Sequence, residues 1–420
     1  MDKIKEVIIL FMKKILFLIC LFSLSFYSCA IRNSLAPKVV GLDAERTFIA
    51  QKIDNGNSKG YFNIPTKLVN TSDHLAIYLQ TTYRGGISAY GLNKMAQEFE
   101  YHYDDMTNIY GGHSDVDGNG KIIIVLMDIN VTKSGSQTLG YFNPYDMYDG
   151  NRGEILYMDL SNANHSIDES IGTLIHEFQH LINYSYVASG ERGPMSSWLN
   201  ETLSESTSIL FNKATVDSRT TEFNEKNYYC FYTWKSSFDF NYPSASVFMN
   251  WLYMKSGTNR EIFKKIAQSK ESADYMKVLT AAAAKEFSIS GSDKWENLLL
   301  EWMSYIVTNC GKTLAVGDIA VTNKTNSVST NLYPGAMVVY NGSYTNTNNN
   351  NIVTRNIDSK TIVLNKDTTL NGAYPILVNL NGSSISTTRA ARQSIFVENK
   401  KSENKTINIL LDENGNILEY

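Results

Sequence analysis

The chain has 420 residues, of which 43% are hydrophobic and 19% are charged, and its formal net charge is −4. This length is sufficient for two domains, each with a core of its own. The ordinary hydrophobic content predicts a globular protein. The weak negative charge argues against both nucleic-acid binding and electrostatic attraction to a membrane surface.

Residues 1–28 are typical of a signal peptide. The pair Lys13-Lys14 precedes an apolar stretch at residues 15–26, which is too short for a confident membrane span. Cys29 follows a small residue, as the acylated cysteine of a lipoprotein does, although Phe26 stands where leucine is usual. We therefore expect a secreted protein with a lipid anchor at Cys29, on the bacterial cell surface or outer membrane. The alternative is a fully extracellular protein that is cleaved nearby.

Two cysteines lie in the body of the chain. Cys230 and Cys310 remain there once the signal peptide, with its own cysteine, is removed. In a protein outside the cytoplasm they form either a disulfide or two buried thiols. The sequence leaves both states open.

The next elements form the start of a mixed sheet. Residues 29–70 are poorly patterned, and we expect a linker with some edge structure there, before a large domain at 71–310. Residues 74–80 and 121–128 predict buried strands. Residues 88–110 predict a long helix, because their apolar side chains recur at helical spacing: Leu92, Met95, Phe99, Tyr103 and Met106.

An acidic loop precedes the second of these strands. Asp115, Asp117 and Asn119, with Gly120 in the sixth position, have the oxygen spacing of a calcium loop. The twelfth position is Leu126, so the bidentate acid of an EF-hand is missing. Asp115, Asp117 and Asn119 are therefore candidate calcium ligands, completed by distant residues. The alternative is a tight turn that needs no ion.

Residues 154–159 predict another strand directly before a helix. This strand is either an edge that lines a cleft and pairs with an extended peptide, or an internal strand of the sheet. In the helix that follows, Ser166 and Glu169 form a capping box at the start. Leu174, Phe178 and other apolar residues then recur at helical spacing.

That helix carries the motif His176-Glu177-Phe178-Gln179-His180. Two histidines four residues apart lie on one face of a helix and can both bind a zinc ion, with the intervening glutamate as general base. The pentamer alone is a weak signal, because an amphipathic helix with solvated histidines has the same pattern. A catalytic zinc needs a third protein ligand and one open position.

A second helix supplies a candidate for that ligand. Residues 198–205 read Trp-Leu-Asn-Glu-Thr-Leu-Ser-Glu, so Glu201 and Glu205 share one helical face. No histidine follows His180 in the chain, so a third ligand on that side must be a carboxylate. We expect Glu201 to bind the zinc and Glu205 to accept a hydrogen bond from the free ring nitrogen of His176.

The two motifs together resemble the gluzincin metallopeptidases, and within them the hyicolysin family of bacterial extracellular peptidases. The resemblance covers residues from about 75 to about 310. It implies an α+β fold, in which a gluzincin-type catalytic domain has a mixed-sheet upper lobe, a zinc helix and a helical lower lobe. It also implies a zinc endopeptidase that acts on proteins or peptides, with Glu177 activating a zinc-bound water.

Two departures narrow the resemblance. The catalytic histidine that thermolysin has downstream of its third ligand cannot exist here, since no histidine follows His180. No Gly-x-Met-Glu-Asn motif of the aminopeptidases precedes the zinc helix. Both absences argue against a close thermolysin relative and against an aminopeptidase. An adhesin with a structural or vestigial zinc site is a further alternative, but such a site would not need Glu177.

A tyrosine is the expected donor to the transition state. The run that begins at Tyr242 is similar to the zinc-aminopeptidase helix that begins Tyr-x-x-Gly and supplies such a tyrosine, although Ala245 replaces the glycine. Tyr242 is therefore a candidate catalytic residue. The alternative is that Tyr242 opens the helix and packs beside Tyr228 or Tyr232.

Composition changes after about residue 311. Thr, Asn and Ser dominate there and are broken by short β-rich runs such as 336–340, 361–364 and 376–378. Short strands with turn residues between them predict a small antiparallel β-sandwich at 311–420.

Overall fold

The structure is a computed structural model. It describes residues 42–83, 86–133, 137–225, 228–229, 241–271, 275–286, 294–309, 331–332, 334–341, 344, 350–367, 377–379 and 384–385. The expected signal peptide, the lipid-anchor position Cys29, and both Cys230 and Cys310 lie outside the described residues. The elements within them are α+β, as predicted.

A six-stranded mixed sheet forms the first layer. Its spatial order is β1-β2-β3-β4-β6-β5, with parallel pairs at β3/β4 and β4/β6 and antiparallel pairs elsewhere. The strands are β1 (Glu45–Asp54), β2 (Asn57–Thr71), β3 (Leu75–Gln80), β4 (Ile122–Met127), β5 (Gly140–Phe142) and β6 (Ile155–Asp159).

Both faces of the central strands are buried. Every residue of β4 is buried, and its side chains alternate between two clusters. Ile122 and Ile124 pack with the helices, whereas Ile123 and Val125 pack with Phe48 of β1. Each fully buried aliphatic side chain stabilises the fold by roughly 1.5–3 kcal/mol relative to exposure. The sheet therefore curls, so that its own first strands cover the face that the helices leave open.

Helices cover the other face. They are α1 (Ala89–Tyr110), α2 (Leu160–His165), α3 (Ile167–Ala188), α4 (Ser197–Phe211), α5 (Lys213–Glu225), α6 (Asn241–Lys255), α7 (Glu261–Ala267), α8 (Tyr275–Thr280) and α9 (Trp295–Thr308). Both predicted helix starts are present. The Ser88 side chain accepts a hydrogen bond from the Gly91 N–H at α1, and Ser166 does the same for Glu169 at α3.

The strand that precedes α2 and α3 is internal. β6 lies between β4 and β5, so of the two alternatives for residues 154–159 the internal strand is confirmed and the cleft edge is wrong. The edge strand is β5, which pairs antiparallel to β6. β5 has only three residues, and a run of that length carries no periodicity that a sequence pattern could reveal.

The segment expected as linker and edge structure contributes two strands. β1 and β2 pair along nearly their full length, and β2 continues into β3, so the described sheet reaches back to residue 45. β1 is the other edge of the sheet. The sequence pattern did not reveal these strands, because their exposed faces carry both polar and apolar side chains. In β1, for example, the exposed positions include the apolar Ile49 as well as polar residues.

The later strands form two small antiparallel sheets. One has the order β10-β11-β9-β7 and the other β13-β12-β8. Leu332 of the second sheet packs in one buried cluster with Val338 and Val363 of the first. β7 pairs with β9, although the expected domain boundary at 310/311 separates them. The strands are β7 (Tyr228–Tyr229), β8 (Asn331–Leu332), β9 (Met337–Asn341), β10 (Ile352–Ile357), β11 (Lys360–Asn365), β12 (Leu377–Asn379) and β13 (Ser384–Ile385).

Within the part of the chain that the structure describes, no helix has both the length and the apolar character that a membrane span requires.

Candidate metal centre

Helix α3 presents both predicted histidines to the same buried site. His176 and His180 are separated by one turn, and each is 5% exposed. Apolar neighbours on the helix, among them Leu174, Phe178 and Leu181, pack into the core beside the sheet. The site is therefore held by a helix that is anchored along its length.

Helix α4 runs antiparallel to α3 and brings the carboxylates to the histidines. Glu205 lies opposite His176. Asn200, nearer the start of α4, accepts a hydrogen bond from the side chain of Asn183, nearer the end of α3. Glu201 lies between these contacts and reaches both histidines. Its Oε2 is 3.5 Å from His176 Nε2, and its Oε1 is 3.4 Å from His180 Nε2.

The three facing groups fit a metal ion. Both Nε2 atoms and both carboxylate oxygens of Glu201 are buried and have no hydrogen-bond partner among the described residues. Zinc binds nitrogen and oxygen at about 2.0–2.1 Å in a tetrahedron, whose ligand atoms lie roughly 3.3 Å apart. The observed separations match that spacing, and His176, His180 and Glu201 form a group that could hold a metal ion.

The electrostatics of the three groups also favour a cation. Burial raises the pKa of Glu201, but the neighbouring charges of His180 and His176 outweigh it and lower that pKa to about 2. Burial lowers the pKa of His180, but the Glu201 carboxylate outweighs it and raises that pKa to about 9. Glu201 is thus a permanent negative charge that attracts either protons on the histidines or a metal in their place.

Ser204 orients one of the histidines, and the sequence analysis did not identify it. Its hydroxyl donates to the Gln179 side-chain oxygen and lies 3.1 Å from His180 Nδ1. Because the single hydroxyl proton goes to Gln179, the oxygen accepts from Nδ1–H of His180. That tautomer leaves Nε2 of His180 as the metal-binding nitrogen.

Glu177 lies between the histidines and the edge of the sheet. Its Oε2 accepts a hydrogen bond of 3.0 Å from the backbone N–H of Phe142 in β5. Its Oε1 is buried and has no described partner. Burial raises the pKa of Glu177, and the charges of His180 and His176 oppose that rise. One oxygen of the buried Glu177 carboxylate thus has no hydrogen-bond partner among the described residues.

Glu205 has a different main partner from the one predicted. Its Oε1 is 3.8 Å from His176 Nδ1, which is too long for a hydrogen bond. Its two oxygens instead accept from Arg219 Nε and Nη2 at 3.1 and 3.2 Å. Arg219 in turn lies over the ring of Tyr242, 4.9 Å from its centroid. A line of contacts through the buried Glu205 and the half-buried Arg219 therefore connects Tyr242 to the back of His176.

The predicted calcium residues are only partly together. Asp115 and Asp117 face one another with Glu154, a residue that the sequence analysis did not place there. Asn119 directs its side-chain oxygen to the backbone N–H of Lys121 at 2.7 Å, so it supports the turn.

The two imidazole nitrogens and the carboxylate between α3 and α4 are donors that suit one divalent metal ion of borderline softness. The chain is similar to the neutral metalloprotease ShpI of Staphylococcus hyicus, with 29% identity over 194 residues. The match covers 41% of this chain and 44% of ShpI, so the chain spans less than half of that relative's length. No protein-family profile matches the chain. The similarity supports a metalloprotease family, and assignment to the hyicolysins stays a prediction.

Proposed function

We propose that the protein is a zinc-dependent metalloendopeptidase. The observation that carries the proposal is the buried group of His176, His180 and Glu201, whose facing atoms have no hydrogen-bond partner in the described part of the chain, with Glu177 beside it. The similarity to a neutral metalloprotease supports the same reading. A site built only for structure would have no need of a buried carboxylate with an unpaired oxygen next to the ligands.

The residues divide into ligands and a base. His176, His180 and Glu201 would hold the zinc, and Ser204 would fix the ring of His180. A zinc ion held in this way would supply Lewis acidity towards water and a peptide carbonyl. Glu177 accepts the proton of the attacking water on its Oε1 and passes it to the leaving amine. The Phe142 N–H holds the other oxygen and so aims the carboxylate.

The edge strand gives a place for the substrate. Phe142 of β5 contacts Glu177, so a peptide that adds to this edge as a further strand would pass beside the base. Backbone pairing recognises any extended protein or peptide segment, which suits an endopeptidase. Tyr148 is exposed and adds aromatic surface nearby, since its ring lies 5.9 Å from that of the buried Tyr184, which in turn packs against Phe142.

Tyr242 is the proposed donor to the charge that develops on the former carbonyl oxygen. It lies in the first turn of α6, and Arg219 holds its ring from one side. Arg219 is itself anchored by both oxygens of Glu205. The position of Tyr242 is thereby tied to the helix that carries the third ligand.

A casein assay separates the proposal from its alternatives. The purified protein should cleave casein, and 1,10-phenanthroline should abolish the cleavage until zinc is restored. An adhesin with a structural zinc would show no cleavage at all. Peptides with free and blocked amino termini test the other alternative. An endopeptidase cuts both within the chain, whereas an aminopeptidase releases single residues from the free peptide alone.

We also propose that the protein acts outside the cytoplasm, anchored by an acylated Cys29. Support comes from the sequence alone: the basic pair at 13–14, the apolar stretch at 15–26 and the cysteine that follows. Mass spectrometry of the amino-terminal peptide tests this. A mature terminus upstream of Cys29, or an unmodified Cys29 in soluble protein, would rule it out.

A further inference from the structure

A second group of carboxylates lies where two parallel strands begin. The loop Asp115–Gly120 connects α1 to β4, and Glu154 immediately precedes β6. β4 and β6 are parallel neighbours with Ile123 opposite Ile155, so their starting ends lie side by side. The loop and Glu154 are therefore brought together by the sheet, although they are far apart in the chain.

The carboxylates face one another without a complete set of partners. One oxygen from each of Asp115, Asp117 and Glu154 lies within 4.8 Å of the others. Glu154 is 1% exposed, and its Oε2 has no hydrogen-bond partner among the described residues. Its Oε1 accepts from the Ser114 hydroxyl at 2.7 Å and the Val116 N–H at 2.9 Å. The side chain is thus oriented into the group by one oxygen and leaves the other unpaired.

Negative charge accumulates there. Burial raises the pKa of Asp117 to about 6, and the nearby charges of Glu154 and Asp115 contribute to the rise. Arg46 opposes them only weakly. The ammonium group of Lys121, the adjacent cation in the chain, instead donates to the carbonyls of Ser72 and Asp73. Burial also raises the pKa of Glu154, so an unpaired carboxylate oxygen beside two further carboxylates is costly unless a proton or a cation binds, and above the raised pKa only a cation offsets that cost.

We propose that Asp115, Asp117 and Glu154 bind one calcium ion, at a site separate from the zinc centre and independent of the proposed protease activity. All the donor atoms are oxygens, as a hard cation prefers. Calcium binds oxygen at about 2.3–2.6 Å, so ligands on opposite sides of the ion lie up to roughly 5 Å apart, which accommodates the observed spread. Carboxylates from a loop and from Glu154 beside it suit the variable geometry of calcium better than the octahedron of magnesium.

Two oxygen-bearing residues, Asn119, which the sequence suggested, and Asp128, are left out of this site. Asn119 donates from its side-chain nitrogen to Asp117 Oδ2 at 2.7 Å and directs its oxygen to the N–H of Lys121. Asp128, which lies near the position of the missing EF-hand acid, pairs with Lys52 and Lys133. Glu154 takes the place of that acid, from a different strand.

The bound ion would fix the path of the chain towards the zinc helix. Ser114 donates its hydroxyl to Glu154 and its backbone N–H to the Ser185 hydroxyl of α3 at 3.0 Å. Calcium bound to Glu154 would therefore connect the loop to the start of β6 and, through Ser114, to α3. Its expected effect is on thermal stability, which is measurable without any assay of activity.

The test is calcium-dependent unfolding of the full chain, with its zinc site filled and free calcium removed by a selective chelator. Calcium at 100 times its dissociation constant should raise the Tm by roughly 3–5 °C, and calorimetric titration should give one calcium per chain. Glu154→Gln should abolish that rise. The glutamine oxygen can still accept from Ser114 and Val116, so the turn keeps its hydrogen bonds. Before calcium is added, the variant should be at least as stable as the wild-type protein.

The matched control is Glu301→Gln, which makes the same change in a carboxylate that pairs with Arg355. That variant should keep the full calcium-dependent rise. No rise in the wild-type protein, or an equal rise in Glu154→Gln, would overturn the site. An equal rise with magnesium would overturn the choice of ion. Asp117→Asn provides a second variant that should lose the calcium response, in case Glu154→Gln does not fold.

Discussion

Removal of the Ser204 hydroxyl tests whether the metal centre depends on the tautomer of His180. In the Ser204→Ala variant, His180 Nδ1–H loses the acceptor at 3.1 Å, and the Nε2–H tautomer that cannot bind zinc becomes more accessible. Groups that hold a ligating histidine are worth roughly 10–100-fold in metal affinity. The Asn200 side chain also supports His180, so we expect the lower end, about 10-fold or 1.4 kcal/mol.

The assay is competition for zinc between the protein and a chromogenic chelator. Ser206→Ala is the matched control, because it removes a buried hydroxyl of the same helix that contacts Tyr110 at 2.8 Å and not the histidines. That control should lower the free energy of unfolding and leave zinc affinity unchanged. An unaltered affinity in Ser204→Ala, or an equal loss in both variants, would refute the reasoning.

Three other predictions follow from buried groups near the site and the sheet. Glu205→Ala should remove the hydrogen-bonded partner of Arg219, leaving it the longer 3.7 Å ion pair with Glu222, and lower zinc affinity or activity roughly 10–100-fold; if neither changes, Glu205 supports nothing at the centre. Tyr242→Phe should lower kcat roughly 10²–10³-fold at unchanged zinc content, and a loss below a few-fold would return Tyr242 to a packing role. Burial raises the pKa of Asp146 from 3.8 to about 6. The folded protein therefore keeps a proton that the unfolded chain releases, and the contribution of Asp146 to stability should fall by about 3 kcal/mol as pH rises from 4 to above 6. Asp146→Asn should flatten that dependence in urea unfolding curves, and an unchanged slope would contradict the assignment.

The parts of the fold that the sequence predicts are those set by local patterns. α1 and α3 were predicted because apolar residues recur at helical spacing in both, and for α3 also because Ser166 and Glu169 mark its start. The grouping of His176, His180 and Glu201 was predicted because a histidine pair fixes one helical face, and the chain offers no later histidine. These inferences need only the helical period and the chemistry of zinc.

The parts that it does not predict depend on contacts between distant segments. Glu154 meets Asp115 and Asp117 only because β4 and β6 are adjacent in the sheet. The edge position of β5 follows from the strand order, which no pattern in its three residues encodes. Arg219 takes the carboxylate of Glu205 because α5 folds back along α4, and a lone arginine on a polar helix gives no sign of that.

The most direct test of the central claim is the zinc content and peptide hydrolysis of Glu177→Gln. Glutamine keeps the size of the side chain and an oxygen that can accept from the Phe142 N–H, but it cannot take a proton from water. We predict one zinc per chain, as in the wild-type protein, with hydrolysis of a blocked peptide reduced at least roughly 10²–10⁴-fold. Turnover close to that of the wild-type protein, or loss of the zinc with the base, would contradict the account.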